Sequence, residues 1–542
     1  MADKKVIIIG IDSGTWDVFN PVIERGKMLF LKELRDAGCQ GVLRSTYPPM
    51  TPPAWTSLMT GVYPGTHGVV DWEMYDVTTN RLRYTTSQSI AVETMWSYLS
   101  RLGYKVASLN LPQTYPPYPV NGVMVSGYGH PGREAEFTYP KKLKRQILER
   151  VPEYDVLLRD WENDDMGDDS VFARVMASSK RSFENSYKLA ELVTKRYGWD
   201  VMLVQIQQLD AILHRVWYYA TPAGWADRPD RAEQMFDMFE CLDNTLGRLT
   251  QFAEGANDLV VVVSDHGHGP CYAKVKPNFL LEEWGFLRRQ DSSRHIGLRL
   301  KRNILKMLGR KMGHGQGSMD LIDRLKLDWS ATQAVAAHVA HHGFVYLNVK
   351  GRQKGGLVEQ GEPYQRLISE LTERFLQVRD PQTGKRIFAS AQTPQQLYGV
   401  ADENSACFGD LILGAADGYW PIRSLRGTKF IEPQDQERPG GYHRREGMYI
   451  LKGGDIKAGI CLDADIVDIL PTIYAAIKVP IPDHLEGIVL EKCFKEPPKQ
   501  IPAEQKAPPA LSRIGVFDEH ELTKTEEEQI GKRLADRSEE RR

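Results

Sequence analysis

Three short aliphatic runs, Val6–Ile11, Val201–Ile206 and Leu259–Val263, contain almost no polar alternation. A strand with one wet face alternates apolar and polar residues, whereas a strand covered on both faces reads as a continuous apolar run. The three runs therefore predict buried parallel strands. Stretches of helical periodicity separate them, for example 183–196 and 231–252, and this alternation predicts an α/β fold with helices on both faces of a sheet. Further along, 343–349 reads as a strand and 364–378 as a helix. Residues 464–477 read as a helix kinked or started around Pro471.

Two segments break the pattern. Residues 129–178 are charged and irregular, and 291–327 are basic; both are expected to be cap-like insertions above the sheet. The core then falls into two parts, 1–290 and 328–494, followed by a charged C-terminal tail, 495–542, that packs on the surface or frays. The length of 542 residues suits one large domain with insertions, or two domains at most. Within 294–311, Leu300, Ile304 and Leu308 alternate with Arg299, Arg302, Lys306 and Arg310, the pattern of a basic amphipathic helix. Such a helix either caps the core with a solvated face or lies on a lipid surface.

Charge narrows the partners. Lysine plus arginine (69) nearly cancel aspartate plus glutamate (71), so no bulk basic field draws the chain onto nucleic acid, and none is expected as a partner. The six cysteines lack CxxC spacing and read as buried thiols rather than a disulfide framework or a thiolate zinc site. The first apolar run is shorter than the roughly 7–15 residues of a signal peptide. No run approaches the roughly 20 residues of a membrane span. The expectation is a cytoplasmic chain without a transmembrane segment.

The chemistry sits where the buried strands end. The first run is followed by Asp12, the second by Asp210 and the third by Ser264-Asp265-His266. In open α/β sheets, sites form outside the carboxyl ends of the strands, so three carboxylates are expected on one rim, where their mutual repulsion calls for a cation. Asp210 and His214, spaced i, i+4, share a helix face and can hold one ion. Asp265 and His266 offer a second carboxylate and imidazole. His443, in Gly-Gly-Tyr-His-Arg, completes a set of three Asp and three His, donor types suited to zinc or another borderline divalent metal. Singly, each has an ordinary explanation as a surface pair, a helix cap or a turn residue. Their joint occurrence at strand exits shifts the balance.

After the first strand comes Thr51-Pro-Pro-Ala-Trp55, then Thr60-Gly61-Val-Tyr-Pro and Thr66-His67-Gly68. A helix starting at Thr51 would present N–H groups and a favourable dipole to a phosphoryl group. Here the chain resembles the alkaline phosphatase superfamily, in its type I phosphodiesterase/nucleotide pyrophosphatase branch. Gly10-Ile-Asp-Ser-Gly-Thr-Trp16, Trp329-Ser-x-Thr332 and Tyr346-Leu-Asn-Val-Lys-Gly-Arg352 further resemble a predicted phosphohydrolase/phosphomutase group within it. The last two carry no chemistry of their own and read as packing segments.

The resemblance implies an alkaline-phosphatase-like sheet, Thr51 as a nucleophile that becomes phosphorylated, and two divalent ions, zinc with manganese as the alternative. Asp12, Thr51, Asp265 and His266 would hold one ion and Asp210, His214 and His443 the other. His443 ranks above His338, His341, His342 and His268 because the family's last ligand comes late, after glycines; His67 reads as structural. The substrate would be a small phosphate ester, a nucleotide or lipid phosphodiester among them. A sulfatase is disfavoured, since its formylglycine cannot be made from Thr51. A phosphomutase or phosphomonoesterase on the same site, and an inactive metal-free scaffold, are the alternatives. One departure stands out: the phosphodiesterases carry an Asn roughly 20 residues after the nucleophile, where this chain has Val70-Asp71-Trp72. Asn110, Lys276 and Arg444 are the candidate replacement donors.

Overall fold

Val6–Ile11, Val201–Ile206 and Leu259–Val263 form the middle of a ten-stranded sheet. In the computed structural model, which describes residues 4–158, 164–290, 325–338, 342–400, 407–501 and 522–535, Val6 pairs in parallel with both Val201 and Leu259. Val106–Leu111 and Gly122–Ser126 extend the parallel array on one side. On the other, Glu446–Gly453 runs antiparallel between Leu259–Val263 and Cys39–Arg44, so the sheet is mixed. Successive residues of the first strand enter different cores. Ile7, Ile9 and Ile11 join a cluster with Phe183, Phe239 and Leu246, while Val6 and Ile8 join one with Trp55, Leu58 and Tyr474. Burial on both faces is the physical reason for the unbroken apolar run.

Several expectations change. The described residues of 129–178 do not form a cap above the sheet: Thr138–Tyr139 pairs with Gly122–Ser126 at its edge, and Phe137, Leu143, Tyr154, Phe172 and Val175 are buried in the first core cluster. Helix Asp169–Arg196 carries a continuous inner stripe from Val171 to Val193, which the preceding charged residues obscure in the sequence. Segment 343–349 does not join the main sheet. His342–Leu347 lies in a separate four-stranded sheet with Ala334–His338, Leu411–Ala415 and Phe388–Gln392, against which helix Glu362–Gln377 packs with Leu367, Leu371 and Phe375. Cys39 and Cys493, expected as separate thiols, form a disulfide between positions 454 apart, and Cys461 is exposed. Residues 294–311 and His341 lie outside the described residues.

The tail contributes a helix, Lys524–Ala535, whose Ile530 is buried and whose Arg533 pairs with Asp155 at 2.5 Å. Among the described residues no helix is long and apolar enough to cross a membrane. The Tyr346 to Arg352 segment gains a clear structural role. Arg352 donates through both terminal nitrogens to Asp410 at 2.7 Å, and Asp410 also accepts from the Leu347 N–H and the Tyr364 hydroxyl. Trp329 and Thr332 close neighbouring loops by bonding the carbonyls of Lys354 and Asp328.

Two stability predictions result. Asp410→Ala leaves the Arg352 guanidinium and the Leu347 amide without their acceptor, and the unfolding free energy from urea titration should fall by about 3 kcal/mol. His67 is fully buried, with Nδ1 accepting from Val69 N–H at 3.1 Å and Nε2 lying 2.9 Å from Ser57 Oγ. Burial lowers its pKa from 6.5 to about 3. Below 6.5 the unfolded chain binds a proton that the folded state refuses until about 3, so stability present above 6.5 is lost progressively as pH falls through that window. His67→Asn, which keeps an acceptor for Val69, should flatten the decline of Tm between those pH values.

Candidate metal centre and nucleophile

The strand exits bring the expected residues to one buried rim. Asp12 follows Val6–Ile11 directly, and its Oδ2 accepts from Gln205 Nε2 at 3.0 Å and Trp55 Nε1 at 3.2 Å. Trp55 belongs to helix Thr51–Thr60, and Gly10 lets its ring lie against the sheet, since a Cβ there would come within 2.5 Å of the ring. This contact fixes the helix that carries Thr51 beside the carboxylate. Helix Gln208–Val216 presents Asp210 and His214 one turn apart, and the antiparallel pairing of Gly267–Pro270 with Gly441–Arg444 brings His443 across to them.

The helix start offers less to an anion than its position suggests. Pro52 and Pro53 carry no N–H, and Ala54 donates to the Met50 carbonyl at 3.0 Å, so of the first four helix positions only the Thr51 amide is left unspent within the helix. The chain thus lacks the usual cluster of helix-end donors. Charge stabilisation at this position has to come from elsewhere.

Hydrogen bonding fixes the imidazole tautomers. His214 Nδ1 faces the Gly441 carbonyl at 3.1 Å, His443 Nδ1 that of Pro49 at 3.0 Å, and His266 Nδ1 that of Gly267 at 3.1 Å. A carbonyl only accepts, so each Nδ1 carries the proton and each Nε2 presents a lone pair. Those lone pairs converge on one another and on carboxylates. His214 Nε2 and His443 Nε2 are 2.9 Å apart and lie 3.3 and 2.9 Å from Asp210 Oδ1. His266 Nε2 lies 3.6 Å from Asp12 Oδ1, 3.1 Å from Asp265 Oδ2 and 3.4 Å from Thr51 Oγ1. Acceptors facing acceptors at these distances repel unless a cation lies between them, and the donor set of imidazole and carboxylate is that of a borderline divalent metal.

The convergent atoms form two overlapping groups, Asp210 with His214 and His443, and Asp12 with Asp210 and His266. Asp210, assigned from the sequence to one ion alone, thus reaches both. Burial and then the charge of Asp210 push Asp265 well above the ordinary carboxylate range. Burial, reinforced by His266, holds the His443 imidazole neutral, the form that ligates metal.

Two of the candidate replacement donors are turned to other partners, and the third, Asn110, uses its carbonyl oxygen elsewhere. Lys276 donates to the Arg426 carbonyl at 2.6 Å and to Glu432, Asn110 accepts from Tyr154, and Arg444 faces Asp17 and Asp417 at 3.9 and 3.6 Å. Asp71 Oδ1 accepts from the following Trp72 N–H at 2.6 Å. Sequence reasoning passed over two residues that the structure puts inside the centre. His268, set below His443, pairs with it across the two strands, 5.5 Å between ring centroids; its signal was the alternation His266-Gly267-His268, which puts both imidazoles on one side of an extended chain. Ser13 had no signal beyond following Asp12.

Comparison with known proteins agrees with this geometry. Residues 6–443 match the family model described as type I phosphodiesterase / nucleotide pyrophosphatase. No curated protein matches the chain. Solved structures with similar folds include human ectonucleotide pyrophosphatase/phosphodiesterase 5 (12% identity, TM-score 0.52, covering 91% of this chain and 100% of that one). Phosphonoacetate hydrolase from Sinorhizobium meliloti 1021 is another (14% identity, TM-score 0.53, covering 88% and 96%). The murine ectonucleotide enzyme, solved in complex with AMP, shares 10% identity at a TM-score of 0.50, covering 89% and 96%. With the family model matching most of its length, the chain belongs to the type I phosphodiesterase/nucleotide pyrophosphatase family, phosphoester hydrolases of the alkaline phosphatase superfamily.

Proposed function

We propose that the chain hydrolyses a small phosphate ester through a phosphothreonine at Thr51, in a centre that takes two divalent ions. The observation that carries this reading is the set of three Nε2 lone pairs aimed at carboxylates, one of them 3.4 Å from Thr51 Oγ1. Asp210, His214 and His443 would hold one ion, and Asp12, Asp265, His266 and Thr51 the other, with zinc favoured by the imidazole content and manganese the alternative. When bound, such ions lower the pKa of the attacking hydroxyl and offset charge on the attacking and leaving oxygens.

The protein's own residues then define the reaction. Thr51 Oγ1, held at the buried start of its helix, attacks phosphorus in line; the P–Oγ1 bond forms as the bond to the leaving oxygen breaks. Water attacks from the opposite side, breaks the P–Oγ1 bond and returns the threonine, so two inversions give net retention. Trp55 and Gln205 hold Asp12 from below, while the Gly441, Pro49 and Gly267 carbonyls keep the three imidazoles in the ligating tautomer. A nucleotide or a lipid phosphodiester is a fitting substrate class, and AMP in the murine neighbour supports the former.

Thr51→Ala should reduce turnover of bis-p-nitrophenyl phosphate at least about a thousandfold while metal content by plasma mass spectrometry stays at the wild-type level. Unchanged activity in that variant would remove Thr51 as nucleophile. Metal should also stabilise the fold, because the acceptors converge only in the folded state. Zinc at a hundred times its dissociation constant should add roughly 2.7 kcal/mol per site, read as a rise in Tm that EDTA reverses and that His214→Ala diminishes.

A further inference from the structure

Ser13 occupies an unusual backbone position at the exit of the first strand. Its φ is +63°, in the left-handed region, yet it is a fully buried non-glycine residue. An L-residue is strained in that region, and glycine would adopt the same backbone without strain. The turn directs two groups of one residue into the metal centre. The Ser13 N–H donates to Asp265 Oδ1 at 3.2 Å, and the hydroxyl lies 2.9 Å from Asp210 Oδ1, 2.9 Å from His268 Nδ1 and 3.4 Å from His266 Nδ1.

Proton directions in this group are set by chemistry. An ionised carboxylate only accepts, so the Ser13 hydroxyl donates to Asp210 Oδ1, and His268 Nδ1 then donates to Ser13 Oγ. Asp210 Oδ1 is the oxygen toward which His443 Nε2 and His214 Nε2 converge. Packing fixes the His268 ring. It stacks on Trp217 at 5.8 Å, meets His214 edge-on at 4.7 Å and lies so close to Gly441 that an added Cβ would come within 2.5 Å of its Nε2.

We infer that His268 and Ser13 form a positioning relay, His268 Nδ1–H to Ser13 Oγ–H to Asp210 Oδ1, that orients the Asp210 carboxylate for the ion it shares with His214 and His443. The inference rests on the two-metal reading. The relay explains why a strained serine stands where glycine would fit, and why an imidazole that is not a required ligand is buried against two that are. Outer hydrogen bonds of this kind set ligand direction and basicity. Because the Ser13 amide serves Asp265 independently of the side chain, and the hydroxyl meets the Asp210 oxygen on which His214 and His443 converge, loss of the hydroxyl should weaken the ion at Asp210, His214 and His443 more than the one beside Asp265, which Asp210 also reaches.

The test measures Zn2+ affinity of the full chain by competition with a chromophoric chelator, together with melting of the metal-free proteins. The variants are Ser13→Gly, which keeps the backbone and the amide but removes the hydroxyl; His268→Phe, which keeps the ring packing but removes the donor; and His268→Asn, which restores a donor near Nδ1. Wild type should bind two Zn2+. Ser13→Gly and His268→Phe should each weaken one site by roughly 10–100-fold and the other by clearly less, and His268→Asn should recover most of the loss. Metal-free Ser13→Gly should melt at or above the wild-type temperature, so lost affinity cannot be laid to lost folding; this variant decides the matter if His268→Phe does not fold. Wild-type affinity in both Ser13→Gly and His268→Phe overturns the relay alone, as does equal weakening of both sites. Wild type binding no Zn2+ overturns the two-metal reading and the relay with it.

Discussion

The repulsion among Asp12, Asp210 and Asp265 and the lone pairs of His214, His266 and His443 is the constraint on which the centre depends. A protein interior tolerates such a gathering only if cations neutralise it or some of the groups take up protons. Burial first, and then the neighbouring Asp210 charge, raises the pKa of Asp265, while burial and then His266 lower that of His443. Every backbone carbonyl that fixes an imidazole tautomer works in the same direction, keeping lone pairs aimed inward at the cost of local repulsion. The scaffold therefore has to be rigid, and the sheet buried on both faces supplies that rigidity.

The route by which the sheet does so is visible in its strand order. Parallel neighbours Leu259–Val263, Val6–Ile11 and Val201–Ile206 place their carboxyl ends side by side, so the acidic residues just beyond them meet without a long loop. His443 reaches Asp210 across 233 positions of sequence because Gly441–Arg444 folds back against Gly267–Pro270, just before the chain re-enters the sheet at Glu446–Gly453. The nucleophile's helix is tied to the same rim through Trp55. Its two prolines remove N–H donors that would otherwise face an anion at the helix start, so charge stabilisation beside Thr51 falls to the neighbouring imidazole and carboxylate cluster.

Much of this was legible in the chain. The bounds of the three central strands follow from unbroken aliphatic runs, and the acidic residues at their exits mark the rim. Periodicity failed where its signal was diluted: the charged residues before Val171 hid the start of the long helix Asp169–Arg196, and the strand His342–Leu347 gave no hint that it belongs to a second sheet. Pro52 and Pro53 were in plain view, but their effect on the helix start emerges only once Ala54 is seen bonded to Met50.

The sequence by itself determined the strands and the identity of the acceptor groups at their exits, and it singled out Thr51 as the candidate nucleophile, because burial pattern and side-chain chemistry are local properties. Tertiary structure alone decided which atoms meet: the sharing of Asp210 between two groups, the turn of the Ser13 hydroxyl into the centre, the choice of His268 as its partner and the joining of Cys39 to Cys493. Those outcomes depend on strand order, register and one left-handed backbone angle. Each arises from packing across hundreds of positions, which no local pattern encodes.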